Sequence, residues 1–175
     1  MANGTPIDDH VLSIEIKASV QRVWDEITKT GAIQRALYNT VLETSLTPGS
    51  RLRYYSPDKK RVFIVGEVVD VVPPTKFSHT YMFTQNPEKP TLVTWELEET
   101  ADGCKVTLTH SGWTTEHKAP EKVAAGWKEI LALLKQDIET GQIPLKTRIL
   151  YRLMGAFMFM MPKTTKVGHV DRAGW

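Results

Sequence analysis

From Val41 to Ser111 the chain is a train of short β-rich runs, each cut off by a turn pair, and one long amphipathic helix follows it. Few architectures accept that order. The breaks fall at Pro48-Gly49, Pro57-Asp58, Pro73-Pro74, Asn86-Pro87 and Asp102-Gly103, where proline fixes φ or glycine supplies positive φ. They predict strands over 41–46, 51–56, 61–72, 76–84, 91–99 and 104–111, and successive hairpins of this length form an antiparallel meander. Ahead of them Leu12, Ile14 and Ile16 alternate with Ser13, Glu15 and Lys17, which places a further strand within Asp9 to Ala18.

Helices bracket this meander. Ser19 offers a capping hydroxyl, and Val20, Val23, Trp24 and Ile27 fall at helical spacing, predicting a helix over 20–28 with another turn or two across Ala32 to Tyr38. Pro120 suits a first helical turn, and Val123, Trp127, Ile130, Leu131, Leu134 and Ile138 recur every three or four residues until Gly141. That helix is roughly 30 Å long, enough to lie across a sheet. Its apolar stripe must be buried, so an α+β fold in which a curved antiparallel sheet grips the helix is expected, with Trp24 and Trp127 as core clamps.

Composition narrows the partners. At 175 residues, 41% of them hydrophobic and 24% charged, the chain fits one folded domain, and its net charge of +2 is too balanced for a dedicated nucleic-acid binder. A lone Cys104 excludes an intramolecular disulfide framework and any zinc site built from several thiolates. The opening residues lack the basic region and apolar run of a secretory signal, so a cytoplasmic location is expected. The charge is uneven, however. Residues 144–175 carry six basic groups against Asp171 alone, which sets them apart as a basic extension rich in Met and Phe beside a domain over 1–143.

Five pieces occur in order: Ala18-Ser19-Val20-Gln21-Arg22-Val23-Trp24, Gly66 through Pro74, Val93-Thr94-Trp95-Glu96-Leu97-Glu98-Glu99, Gly103 through Gly112, and Gly126-Trp127 through Gly141. Together they resemble the START-like (SRPBCC) superfamily, and specifically the activator of Hsp90 ATPase homologue 1-like domains, over about residues 10–143. The resemblance implies a helix-grip fold of the START-like or Bet v1-like kind: seven strands around the long helix, two short helices after the first strand, and an apolar cavity. It implies functions ranging from lipid and hormone binding to polyketide cyclisation and chaperone activation, so the fold alone does not choose among them.

Strand parity proposes the cavity wall. If Phe77 faces inward, His79, Tyr81 and Phe83 share its face; Val93 brings Trp95 and Leu97; Val106 brings Leu108 and His110. Phe77, His79, Tyr81, Trp95, Leu108 and His110 are thus the candidate ligand contacts, an apolar set with a few polar anchors. A bulge of one residue would reverse these faces. Acid–base catalysis of the cyclase, hydratase or hydrolase kind would draw on His79, His110, Tyr81 or Glu67. The five histidines show no i, i+4 or HExxH pairing, so no metal is expected, and without a glycine-rich phosphate loop or a GxSxG elbow no dinucleotide cofactor or activated serine is expected either. His117 and Lys118 precede the long helix, where loops edge a cavity mouth.

The reading favoured by these residues is a binder of a small apolar or amphipathic molecule. Hsp90 is the partner implied by the resemblance, although the chain as given lacks that activator's companion N-terminal domain. The extension adds its own expectation. Leu145 to Met161 favours a helix, with Pro144 in its first turn and Pro162 stopping it. Arg148 and Arg152 then stack four residues apart, with Leu150, Leu153, Met154, Phe157 and Met161 on another face. The 13-residue apolar run Ile149–Met161 is too short to span a bilayer. Its face therefore calls for its own domain, a homodimer contact or a peripheral site on an anionic membrane.

Overall fold

The computed structural model describes residues 4–175. Strand β1 (His10–Ile16) alternates as its sequence predicts, with Ile16 buried and Ser13 and Glu15 facing solvent. Ser19 then caps α1 (Val20–Ile27), its hydroxyl accepting from the Arg22 N–H at 3.2 Å. Seven strands follow: β2 (Ile33–Gln34), β3 (Thr40–Glu43), β4 (Arg51–Tyr55), β5 (Val62–Val72), β6 (Lys76–Phe83), β7 (Thr91–Thr100) and β8 (Gly103–Ser111). They join β1 in one curled antiparallel sheet of order β1-β8-β7-β6-β5-β4-β3-β2. A meander thus runs from β2 to β8, and β1 closes against the last strand with Leu12 opposite Leu108 and His10 opposite His110.

The sheet has eight strands instead of seven, because β2 stands where a second short helix was expected. Two local causes explain this. The amide of Gln34, 1% exposed, donates to the carbonyls of Glu26, Ile27 and Lys29, so it closes the end of α1 and fixes its own backbone as extended. Tyr38 and Asn39 then take φ of 52° and 60°, a left-handed conformation that a right-handed helix cannot pass through.

Helix α2 (Pro120–Thr140) lies in the grip of the sheet. Trp127, Ile130, Leu131 and Leu134 are buried together with Trp95, Leu97, Val106 and Leu108 of β7 and β8, and Val23, Trp24 and Ile27 of α1 complete the same core. The helix ends at Gly141, whose φ of 72° lets its N–H return to the Asp137 carbonyl at 2.9 Å. Arg35 anchors this end: its Nε donates to Asp137 Oδ2 at 3.2 Å, its Nη2 to Oδ1, and Nη2 also reaches the Gly141 carbonyl at 3.2 Å.

The basic extension forms α3 (Leu145–Ala156), two 3-10 turns at Met158–Met160 and Lys163–Thr165, and α4 (Val167–Arg172). The helix expected to reach Met161 therefore stops five residues early. Arg61 accounts for the change of direction: buried itself, it donates to the Met161 and Pro162 carbonyls at 3.0 and 3.1 Å and to Thr165 Oγ1 at 2.8 Å. Beyond that clasp, Val170 packs with Val62, Val65 and Met82 on the face of β5 and β6 that α2 does not touch. Arg53 holds the end of the chain, donating to Asp171 at 2.8 Å and to the Trp175 carbonyl. Among the described residues no helix is long and apolar enough to cross a membrane.

Candidate functional site

A cavity of about 560 Å³ lies between the sheet and α2, within the range of small-molecule sites. Tyr54, Phe63, Ile64, Tyr81 and Phe83 of β4, β5 and β6 form one wall, and Val123, Gly126, Trp127 and Ile130 of α2 form the other. Gly126 leaves room on α2 here. At Gly126 a Cβ would sit 3.2 Å from the Tyr38 hydroxyl, so even alanine would press on a residue of the lining. Further along α2, bulky Leu131 and Leu134 fill the grip.

The wall is largely apolar, its polar members being a group of phenols, Lys122, and Thr40 and Gln85, which already donate to the Leu37 carbonyl and the Met161 sulfur. Burial raises the pKa of both Tyr54 and Tyr81, and neighbouring Tyr54 and Tyr38 add to the rise at Tyr81. Tyr38 is raised by burial and by the Glu129 carboxylate beside it. All three are neutral donors at physiological pH, and neither Tyr54 nor Tyr81 spends its hydroxyl on a neighbour among the described residues. Among the described residues no carboxylate lines the cavity. Lys122, exposed on α2, is the one lysine or arginine among the lining residues.

Of the six contacts proposed from parity, the structure puts Tyr81 on the cavity wall. Phe77, His79, Trp95, Leu108 and His110 face the same way, but each is at most 1% exposed and sits in the packed core behind lining residues such as Tyr81 and Trp127. The bulge between Val68 and Asp70 belongs to β5 and leaves the faces of β6 intact. Glu67 points to solvent, which removes it from the acid–base candidates.

His110 is fully committed to the protein. Its Nδ1 accepts from Trp127 Nε1 at 2.8 Å, so its Nε2 carries the proton and donates to Thr91 Oγ1 at 2.7 Å. The Thr91 hydroxyl in turn donates to the Tyr81 carbonyl at 3.1 Å. Burial, with His10, His79 and His117 nearby, pushes the His110 pKa down to about 3. His79 donates from Nδ1 to the Thr80 carbonyl at 2.8 Å, and burial pushes it down to about 4. Its Nε2 is buried without a partner. Neither imidazole is a protonated acid near neutral pH.

His117 and Lys118 do edge a cavity, a smaller one of about 220 Å³ that shares Tyr81, Phe83, Gln85, Lys122 and Val123 with the first. His117 is held there by the Lys89 carbonyl at 2.9 Å and by the Thr114 N–H at 2.9 Å. Among the described residues no cluster of three or more His, Cys, Asp or Glu could hold a metal ion.

The family model for activator of Hsp90 ATPase homolog 1-like protein matches residues 17–139, well over half of the chain. The chain belongs to that family. Solved structures show the same START-like fold. DynU16, from the dynemicin biosynthetic locus, superposes with a TM-score of 0.66 at 22% identity over 79% of this chain and 49% of its own, so this chain spans about half of DynU16. CalU16 from Micromonospora echinospora gives 0.61 at 19% identity over 84% and 83%. The Aha1 dimer from Colwellia psychrerythraea gives 0.64 at 18% identity over 78% and 99%. No curated protein matches the sequence significantly.

What this member adds to the family domain lies after the match. Met154, Phe157, Met158 and Met161 of the extension supply a third side of the cavity. Tyr151 fixes α3 by donating to the Arg35 carbonyl at 3.0 Å, and Gln85 donates to the Met161 sulfur at 3.2 Å. Flexible methionines suit a cover that must fit an irregular space. Tyr38, Tyr54 and this cover escaped the sequence reading. Tyr54 had a signal, since strand parity pairs it with buried Leu52; the cover had only its unpartnered apolar face.

Proposed function

We propose that the domain binds a small, neutral, largely apolar molecule in the 560 Å³ cavity, with the Tyr54 and Tyr81 hydroxyls orienting a hydrogen-bond acceptor on it. The observation that carries this is the pairing of an apolar lining with two neutral phenols that make no hydrogen bond to the protein. A cationic ligand group would have no countercharge on the lining, and Lys122, its one lysine or arginine, is exposed, so burying an ionised group deep in the cavity is costly. Apolar area supplies the affinity and the phenols set the pose. Of the acid–base candidates for a cyclase, hydratase or hydrolase, His79, His110 and Glu67 lie off the wall, and Tyr81, which lies on it, is a phenol that burial keeps protonated, so the lining supports binding over catalysis.

Benzophenone and diphenylmethane test the reading, because they differ chiefly in one carbonyl. Tyr54→Phe and Tyr81→Phe should each weaken benzophenone by about three- to tenfold and leave diphenylmethane unchanged. If neither compound binds, or the phenylalanine variants treat both alike, the reading fails.

Membership of the activator family supports a second reading, contact with Hsp90, and the dimeric Aha1 relative supports testing for a homodimer. A pull-down against Hsp90 and a solution mass measurement check them.

A further inference from the structure

We infer that the outer face of α3, with the 3-10 turn after it, docks this protein on an anionic membrane surface, directly over the cavity. Met154 and Phe157 line the cavity while remaining 42% and 57% exposed, and Tyr151 turns toward Arg35, so the helix is buried nowhere along its length. Leu145, Ile149 and Leu153 recur every four residues on the outward side and are 67%, 50% and 52% exposed. Phe159 and Met160 prolong this ridge at 74% and 70%, the most exposed large apolar residues described. A patch of that kind rarely faces water without a partner.

Charge identifies the partner. No aspartate or glutamate occurs from Thr140 to Val170, whereas Lys146, Arg148, Arg152, Lys163 and Lys166 do. The extension's single carboxylate, Asp171, is already bound to Arg53. Arg148 and Arg152 flank the outward ridge one helical turn apart. Apolar side chains on a helix bordered by unpaired cations match an interface of acyl chains beneath anionic headgroups. A second copy of the chain fits less well, because a two-fold contact would set this cationic helix against itself.

The position of the helix gives the docking a consequence. The segment that meets the membrane is the one whose inner residues cover the cavity, so a ligand could pass between the two without crossing bulk water. This consequence rests on the cavity reading; the docking does not.

Vesicle sedimentation tests it, with the full-length protein and vesicles of phosphatidylcholine alone or phosphatidylcholine with phosphatidylserine. The protein should sediment with the anionic vesicles and be released by high salt. Arg148→Ala with Arg152→Ala should lower partitioning roughly thirtyfold, since each basic group contributes about a fivefold attraction. Leu153→Asp with Phe159→Asp should abolish it. All four positions are exposed, so the melting temperature should hold, and salt release of the wild-type protein gives an independent readout. Failure to bind anionic vesicles, equal binding to neutral ones, or unchanged binding by both double variants overturns the inference. So does a dimer that the Leu153→Asp, Phe159→Asp variant dissociates. Benzophenone binding without vesicle binding overturns the docking alone, and the converse overturns the cavity reading alone.

Discussion

Trp127 Nε1 donates to His110 Nδ1 at 2.8 Å, and that bond decides what His110 is for. It joins the long helix to the last strand, fixes the tautomer, and commits the remaining proton to Thr91. His110 is a structural clamp. His110→Ala should cost on the order of 3 kcal/mol in urea unfolding, because the Trp127 N–H and Thr91 hydroxyl lose buried partners and a void opens. A variant that keeps wild-type stability but loses ligand would return His110 to the site.

Acid should unfold the protein early. Both His79 and His110 are buried and neutral in the fold, pushed down from 6.5 to about 4 and about 3, so the unfolded chain takes up their protons first. Their stabilisation is complete above about pH 6.5 and is lost as pH falls toward those folded values, at roughly 1.4 kcal/mol per pH unit for each histidine. Urea midpoints measured from neutral pH downward should show this slope, and His79→Phe should remove part of it. Constant stability between about pH 6.5 and 4 would show that the imidazoles are not held neutral.

Arg35 and Asp137 form an unequal pair, the carboxylate side chain 4% exposed and the guanidinium 47%. Arg35→Ala strands a buried charge, whereas Asp137→Asn leaves a neutral amide facing a half-solvated cation. The arginine variant should therefore lose more stability, about 3 kcal/mol against about 1. Equal losses in thermal melts would mean that packing, and not charge, sets the cost.

Arg61 should control the cover. Arg61→Ala removes four hydrogen bonds that hold the extension to the sheet. Limited proteolysis is expected to cut within residues 156–166 far faster than in the wild-type protein, with the domain core intact. Identical protection in both proteins would place the attachment in the Val170 cluster instead.

The sequence reading was strongest where periodicity and turn chemistry agree. Asp102-Gly103 and Pro57-Asp58 mark hairpins that form, and Pro120 and Gly141 bound the long helix. It was weaker where one side chain overrides a local tendency, as Gln34 does in closing α1 and Arg61 does in turning the chain beyond α3. Parity gave the inner face of β6 but could not say how deep each residue lies. Phe77 and His79 share a face with Tyr81, yet only Tyr81 reaches the part of the sheet that stands away from α2. Depth depends on sheet curl and on Gly126, and neither follows from alternation.

Trp24 and Trp127 sit at 6% and 4% exposure, and truncating either to alanine should cost about 3 to 5 kcal/mol. Trp127 also lines the cavity, so its loss would disturb ligand and fold together. Urea unfolding of both variants checks this, and a change under 1 kcal/mol would show that the core collapses around the gap.

Val123 separates fold from function more cleanly, because it is half-buried on the cavity side of α2. Calorimetric titration of benzophenone into the wild-type protein and into Val123→Trp is the direct test. One molecule should bind per wild-type chain, and none should bind to a Val123→Trp variant that melts as the wild-type does, the indole filling the space. Absence of binding to the wild-type protein, or undiminished binding to the folded tryptophan variant, would contradict a ligand site between the sheet and the helix.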